Sequence, residues 1–222
     1  MSDAELRVWG VGTSRTMRPH WMLCELGIEY ETREIIPRTA TMNDQAFLRA
    51  STRGKVPILE HGELVIGESG AIVYYLADHF RERRSLAPPP ATPERARFDD
   101  MCFFILMELD APLYVIRRHE GLPEVYGASK TAVDAARGYF LRQMGVVEAW
   151  LASSGGPYLI GDGFSAADLL LASCTSWGQF VGIELSRPIA EHLEVVSSRD
   201  GFRMAIERNF PPEALAMLTQ SP

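Results

Sequence analysis

A proline-rich segment divides this sequence into two regions that cannot share one continuous helix. Residues 85–93 read Ser-Leu-Ala-Pro-Pro-Pro-Ala-Thr-Pro. Proline lacks the backbone N–H and its ring clashes with the preceding helical turn, so a helix cannot continue through such a segment. We therefore predict a linker at residues 83–92 between an N-terminal domain, residues 1–82, and a C-terminal domain, residues 93–222.

The N-terminal region has the pattern of a mixed α/β domain. Short apolar segments predict strands at residues 6–9, 30–36, 57–60 and 64–66. Longer segments predict helices at 18–26, ending at Gly27, and at 69–80, with a short helix near 44–49. The order β-α-β-(α)-β-β-α, with a parallel first pair and a final antiparallel hairpin, is the thioredoxin-like arrangement.

The C-terminal region predicts helices and no strand. Thr92 is suited to cap a helix whose first residue is Pro93. One apolar stripe follows at spacings of three and four, formed by Phe98, Met101, Cys102, Ile105, Leu106 and Leu109. A further helix is predicted over 129–152, and Ser165 with Asp168 has the capping-box spacing directly before an apolar helix. We expect an all-α helical bundle domain with that apolar helix at its centre.

Composition excludes several classes of partner. Apolar residues make up 46% of the 222, enough for a core, and 22 Lys and Arg against 29 Asp and Glu leave no net positive field for nucleic acid. No apolar run approaches the length of a membrane span, and the N-terminus is acidic where a signal peptide is basic. Cys24, Cys102 and Cys174 occur without a CxxC motif or a histidine at metal-ligand spacing. We expect buried thiols, no metal, no nucleic acid or membrane partner, and a cytoplasmic location.

Two short motifs in the N-terminal region carry the most information about function. Gly54-Lys55-Val56-Pro57 precedes a predicted strand, and Glu68-Ser69 begins a predicted helix. Together with the loop 12–18, and with residues 157–162 leading into 164–168, they resemble the cytosolic glutathione S-transferase superfamily. Tyrosine is absent from the loop, so the resemblance is to bacterial-type members with serine or threonine there. It covers nearly the whole chain and implies glutathione as co-substrate.

The resemblance implies roles for the residues of both motifs. Val56 would pair its backbone with the cysteinyl residue of glutathione, provided that the Val56–Pro57 bond is cis. Glu68 and Ser69 would bind the γ-glutamyl end at a helix N-terminus, and Lys55 would bind the glycine carboxylate. The alternatives are that Ser69 only caps its own helix and that Lys55 is a surface residue.

The same resemblance places a hydroxyl in the loop 12–18 beside the glutathione sulfur. Thr13, Ser14 and Thr16 are the candidates, and helix capping is the alternative role of all three. Arg15 and Arg18 are a second possible source of positive field near a thiolate. The electrophile would bind in the second domain, where we take Leu106, Leu109, Tyr114 and Arg117 as candidates; the alternative for these is core packing and solvated charge.

The resemblance therefore implies a homodimeric glutathione transferase that joins the glutathione thiolate to a small, partly apolar electrophile. Two other functions stay open. One is a non-catalytic glutathione-binding or interaction protein. The other is a glutathione-dependent reductase or peroxidase, which would have to use the thiol of glutathione itself because the loop has no cysteine.

Overall fold

The chain forms two compact units, and the last part of the sequence returns to the first of them. The computed structural model describes residues 5–219. The first unit, called the α/β unit, holds the described chain up to Ser85 and again from Ser198; the second, called the helical unit, holds Leu86–Ser197. The sequence pattern placed everything from residue 93 in one domain, so the return at Ser198 departs from that expectation.

The α/β unit contains a four-stranded sheet with the predicted thioredoxin-like topology. The strands are β1 (Leu6–Trp9), β2 (Glu31–Arg33), β3 (Ile58–His61) and β4 (Leu64–Gly67), in the spatial order β2-β1-β3-β4. The β1–β2 pair is parallel, and the β1–β3 and β3–β4 pairs are antiparallel. Strand β2 is shorter than predicted because the N–H of Ile35 donates back to the carbonyl of Arg33 at 2.8 Å, which turns the chain away from the sheet.

Three helices of the α/β unit accompany the sheet. They are α1 (Ser14–Leu26), α2 (Gln45–Ala50), which follows a 3₁₀ turn at Ala40–Asn43, and α3 (Ser69–His79). Helix α1 begins four residues before the predicted start because Thr13 caps it, and Gly27 closes it with a left-handed φ of 64°. Phe47 of α2 packs with Trp9, Ile35 and Ile58 in one buried cluster.

The helical unit contains six helices among the described residues. They are α4 (Pro93–Phe104), α5 (Ala111–His119), α6 (Pro123–Tyr126), α7 (Lys130–Ser153), α8 (Ala166–Phe180) and α9 (Arg187–Ser197). The predicted first helix is present, but a π-helical segment, Ile105–Asp110, joins α4 to α5. The only β feature described after β4 is an isolated bridge between Tyr158 and Gly161.

Burial in the helical unit follows the predicted faces. Of the predicted stripe, Phe98, Cys102, Ile105 and Leu109 are buried, and 12 of the 15 residues of α8 are buried, which makes it the centre of the unit. All three cysteines are free; Cys102 and Cys174 are buried as expected, whereas Cys24 is only half-buried. Among residues 5–219, no helix combines the length and apolar character that a bilayer span requires.

The returning segment consists of α10 (Asp200–Asn209) and α11 (Pro212–Thr219), and α10 packs along α1. At the start of α10, Arg199 forms a bidentate ion pair with the buried Glu25, with both N···O distances 2.8 Å. Gly201 allows this approach, because a Cβ there would lie 2.7 Å from Glu25 Cδ. Trp21 and Phe202 meet edge to face with ring centroids 4.8 Å apart.

Candidate functional site

The strand register brings the three predicted glutathione-binding segments to one edge of the sheet. Trp9 at the end of β1 pairs with Ile58 at the start of β3, and Ile58 pairs with Gly67 at the end of β4. The loop after β1, the Val56–Pro57 segment before β3 and the Glu68–Ser69 segment after β4 therefore adjoin the same edge.

Val56 lies directly against the loop after β1. Gly10 has a φ of 112°, and a Cβ at this position would lie 2.4 Å from Val56 Cβ, so only glycine permits the approach. The Val56–Pro57 bond is cis, as the resemblance implied. The preceding backbone is fixed by Ser51, whose Oγ accepts from the N–H of Lys55 at 2.9 Å and donates to its carbonyl at 2.8 Å. The side chain of Lys55 is exposed.

A buried histidine contacts the carbonyl of Gly10. His20 Nε2 lies 3.0 Å from the carbonyl of Gly10, and Nδ1 lies 2.8 Å from the hydroxyl of Tyr30. Because a carbonyl only accepts, Nε2 carries the proton and Nδ1 accepts from Tyr30. Burial lowers the pKa of His20 to about 4, so the ring is neutral at physiological pH.

Glu68 has an unusual backbone conformation next to the predicted ligand residue. Its φ of 71° and ψ of 112° lie in a region that residues other than glycine rarely occupy. Its carboxylate is mostly exposed and pairs with Arg53 Nη1 at 2.6 Å. Strained backbone of this kind is concentrated at functional sites, where the surrounding structure holds it in place.

Ser69 is a buried hydroxyl that receives a hydrogen bond from a buried arginine. Ser69 is 6% exposed and Arg18 is 1% exposed, and Arg18 Nη1 donates to Ser69 Oγ at 3.0 Å. The N-cap of α3 is Glu68, and within residues 5–219 no side chain caps this helix, so Ser69 does not have a capping role. Because Ser69 Oγ accepts from Arg18, its own hydrogen is available to an anionic group at the N-terminus of α3.

The sequence pointed to Arg18 only as a source of positive field near the thiol. The structure places it beside Ser69 instead, on the predicted γ-glutamyl side of the site. The two positions are 51 residues apart in sequence, and the spacing within α1 says nothing about α3, which explains the difference.

The three loop hydroxyls have different environments. Thr13 Oγ1 accepts from the N–H of Thr16 at 3.0 Å, and Thr16 Oγ1 accepts from the N–H of Thr13 at 2.9 Å, which is a reciprocal helix cap. Thr16 is completely buried and its hydroxyl donates to the carbonyl of Thr13 at 2.9 Å, so it has no surface for a ligand. Thr13 and Ser14 are partly exposed. The hydrogen of the Thr13 hydroxyl has either Thr16 Oγ1, 3.0 Å away, or a ligand as its acceptor.

The predicted electrophile residues differ in how accessible they are. Leu109 is completely buried and offers no surface to a ligand, whereas Leu106, Tyr114 and Arg117 are partly exposed. Tyr114 has the guanidinium of Arg118 5.1 Å from its ring centroid. Arg117 donates to the carbonyl of Gly121 at 3.0 Å, which fixes its direction near the end of α5.

A separate pocket of about 620 Å³ opens on the α/β unit and contains none of the predicted site residues. Arg7, Trp9, Arg33 and Arg49 are among the residues that line it. The guanidiniums of Arg7 and Arg33 lie 6.0 and 5.8 Å from the ring centroid of Trp9. Glu34, Asp44 and Glu60 also line it, so the pocket mixes charges of both signs and selects no one class of ligand.

Comparison with protein-family models gives two matches in chain order. Residues 4–78 match the glutathione S-transferase N-terminal domain, and residues 104–199 match the glutathione S-transferase C-terminal domain.

Individual relatives cover most of the chain. Glutathione S-transferase 1 of Schizosaccharomyces pombe is 30% identical over 166 residues, which are 72% of this chain and 69% of the relative. Dichloromethane dehalogenase of Methylophilus leisingeri is 30% identical over 161 residues, 70% of this chain and 58% of the relative. The crystal structure of a glutathione transferase from Methylococcus capsulatus has 26% identity and a TM-score of 0.80, covering 92% of this chain and 98% of the other. The chain thus belongs to the cytosolic glutathione S-transferase superfamily.

Proposed function

We propose that this protein is a glutathione transferase that joins the thiolate of glutathione to a small, partly apolar electrophile. The observation that carries the proposal is the buried Arg18–Ser69 pair beside the strained Glu68, at the same sheet edge as Val56. A buried cation behind a hydroxyl at a helix N-terminus favours a carboxylate ligand. The family membership supports glutathione as the molecule that supplies it.

For each of the three residues of glutathione, the site offers a group of suitable chemistry. Ser69 and the first amides of α3 bind the γ-glutamyl carboxylate, and the exposed carboxylate of Glu68 binds the amino group of the same residue. The backbone of Val56 pairs with the cysteinyl residue by strand addition. Lys55, exposed and next to Val56, binds the glycine carboxylate. These assignments follow the family pattern at matching positions of this sequence.

The hydroxyl of Thr13 is the proposed donor to the glutathione thiolate, because it is partly exposed and has one hydrogen to give. Lowering a thiol pKa from about 8.5 to about 6.5 raises the thiolate fraction near pH 7 about 24-fold. The lower basicity reduces nucleophilicity about eightfold, so the net gain is only about threefold. Most of the acceleration must therefore come from holding the electrophile against the sulfur.

The electrophile is proposed to bind against the helical unit. Leu106 and Tyr114 offer apolar surface and Arg117 a positive charge for an anionic substituent, whereas Leu109 supports them from the core. A relative that acts as a dichloromethane dehalogenase favours halides as leaving groups. A homodimer in the cytoplasm is the proposed form, and three free thiols suit a reducing compartment.

Calorimetry and an activity assay test the proposal together. Glutathione and S-methylglutathione are titrated into the protein, and conjugation is then followed with an aryl halide and with a dihalomethane. We expect both ligands to bind and glutathione alone to react. Failure of both to bind refutes the assignment of the site.

Glutathione binding without conjugation of either halide would favour the non-catalytic alternative. The reciprocal Thr13–Thr16 cap supports this alternative, because a Thr13 hydroxyl that bonds only within the helix cap donates no hydrogen bond to the thiolate.

A further inference from the structure

Helix α10 of the returning segment ends against the loop that carries Thr13. The carbonyl of Asn209, the last residue of α10, accepts from the N–H of Gly12 at 2.7 Å. The side chain of Asn209 reaches the next residue of the loop, and its Nδ2 donates to the carbonyl of Thr13 at 3.1 Å. One residue, 196 positions away in sequence, therefore holds two consecutive residues of the loop.

This loop needs support from outside. Gly10 and Gly12 both have positive φ values, 112° and 84°, and glycine leaves the backbone free to adopt many conformations. The end of strand β2 and the residues just after it hold the first half, since the N–H groups of Gly10 and Val11 donate to the carbonyls of Arg33 and Ile35 at 2.9 and 3.1 Å. Asn209 holds the second half, so the two supports together cover four consecutive residues up to Thr13.

The environment of Asn209 shows which end of its side-chain amide faces the carbonyl of Thr13. Asn209 is completely buried, and the carbonyl of Thr13 can only accept, so the NH₂ group must face it. Among the described residues, its Oδ1 is buried without a hydrogen-bond partner. A buried unpaired oxygen is unfavourable, so an apolar residue of similar size would suit this position equally well if it only filled space.

The segment after Asn209 continues over the same loop. Pro211 and Pro212 end α10 and start α11, and a Cβ on Gly12 would lie 3.1 Å from Cβ of the buried Ala214. The other end of α10 is anchored on α1 by the Arg199–Glu25 ion pair. The position of Asn209 is thus set by contacts at both ends of the helix.

We infer that Asn209 is a positioning residue for the glutathione thiolate, acting through the carbonyl of Thr13 to hold the Thr13 hydroxyl toward the sulfur. This role rests on the proposed function. Asn209 lies beyond the matched C-terminal domain, which ends at residue 199.

The test compares Asn209→Leu with Phe202→Leu in the full chain. The first removes the amide donor and the unpaired oxygen but keeps the backbone bond to Gly12. The second weakens the packing of α10 on Trp21 and leaves the hydrogen bonds from Asn209 to the loop in place. For each variant we measure the pH dependence of kcat/KM with an aryl halide, glutathione affinity at low pH, and amide exchange of residues 12–16 without ligand. Asn209→Ala takes the place of the leucine variant if that variant does not fold.

We expect Asn209→Leu to lower kcat/KM about fivefold at neutral pH, to shift the pH profile upward, and to speed loop exchange, with low-pH affinity within about twofold of wild type. Phe202→Leu should leave the pH profile in place. Wild-type behaviour of Asn209→Leu overturns the inference, and so does an equal shift in Phe202→Leu. If wild type does not bind glutathione, the proposed function fails, while loop exchange still decides whether Asn209 positions the loop.

Discussion

Ser69 is the residue whose chemistry most directly tests the site. Ser69→Ala removes a donor to the γ-glutamyl carboxylate, and we expect glutathione affinity to fall by roughly 1–3 kcal/mol, the range for hydrogen bonds to charged groups. Isothermal titration calorimetry measures it. Ser129→Ala is the matched control, because Ser129 caps α7 through the N–H of Ala132 and should cost stability alone. Affinity within twofold of wild type in Ser69→Ala would leave this serine with a structural role only.

Thr13 combines a helix cap with the proposed thiolate donor, and substitutions separate the two. Thr13→Val should raise the pKa of bound glutathione by roughly one to two units, because a charge-assisted hydrogen bond is lost. Ultraviolet absorbance of the thiolate, followed against pH, gives this pKa. Thr13→Ser should keep it, and Thr16→Val should lower stability and move the pKa less than Thr13→Val does, because Thr16 is buried and acts on the thiolate only through Thr13. A shift in Ser14→Ala alone would transfer the role to Ser14.

His20 gives the α/β unit a defined response to acid. Its folded-state pKa of about 4 lies below the unfolded value of about 6.5, so the unfolded chain takes up a proton first as pH falls. The stabilisation that the neutral His20 ring provides is complete above about pH 6.5. It is lost as the pH falls toward about 4, and the total loss is roughly 3 kcal/mol. Urea unfolding across this range should show a shallower pH slope in His20→Gln, whose amide can still donate to Gly10. Equal slopes in both proteins would contradict this account.

At the scale of single elements, α8 depends on one buried carboxylate. Asp168 accepts four hydrogen bonds, from the N–H of Leu159 (2.8 Å), the N–H and hydroxyl of Ser165 (2.9 and 2.8 Å), and His192 Nε2 (3.0 Å). Asp168→Ala leaves these buried donors unpaired, and we expect unfolding free energy to fall by about 3–5 kcal/mol in urea titrations. Asp134→Ala, at the exposed Lys130 pair, should cost about 0.5 kcal/mol or less. A loss below about 1 kcal/mol in Asp168→Ala would refute this role.

The ends of helices can be predicted from the sequence where the contacts that determine them are local. Thr92 with Pro93, Ser165 with Asp168, and Gly27 mark helix ends through contacts of a few residues, and each lies where the sequence predicted. The start of α1 was predicted four residues too late, because the cap depends on Thr13 and Thr16 bonding each other rather than on an apolar pattern. The π-helical segment between α4 and α5 has no periodicity that distinguishes it from a continuous helix.

Contacts between distant parts of the chain limit how much of the site, and of the whole molecule, can be predicted from the sequence. The motifs around Val56 and Ser69 were recognisable because a family resemblance supplied their meaning. Arg18 beside Ser69 and Asn209 beside Thr13 are separated by 51 and 196 residues, so no local pattern reveals them. The return of the chain at Ser198 is of the same kind, since it depends on the pairing of Arg199 with Glu25 across 174 residues.

The oligomeric state is a property of the whole molecule, and the helical unit offers a surface for it. Phe103 lies near the end of α4 and Met107 four residues further on, in the π-helical segment, and these apolar side chains are 59% and 64% exposed. A dimer interface that covers them would remove this apolar surface from water. The chain weighs 24.8 kDa, and we expect light scattering at micromolar concentration to give a mass of about 50 kDa, that of a twofold dimer. The double variant Phe103→Glu, Met107→Glu should give about half that mass, because the new charges would have to be buried in the interface, whereas Leu141→Glu, another exposed apolar position, should stay dimeric. A wild-type mass near 25 kDa would exclude the dimer, and a dimeric double variant would move the interface elsewhere.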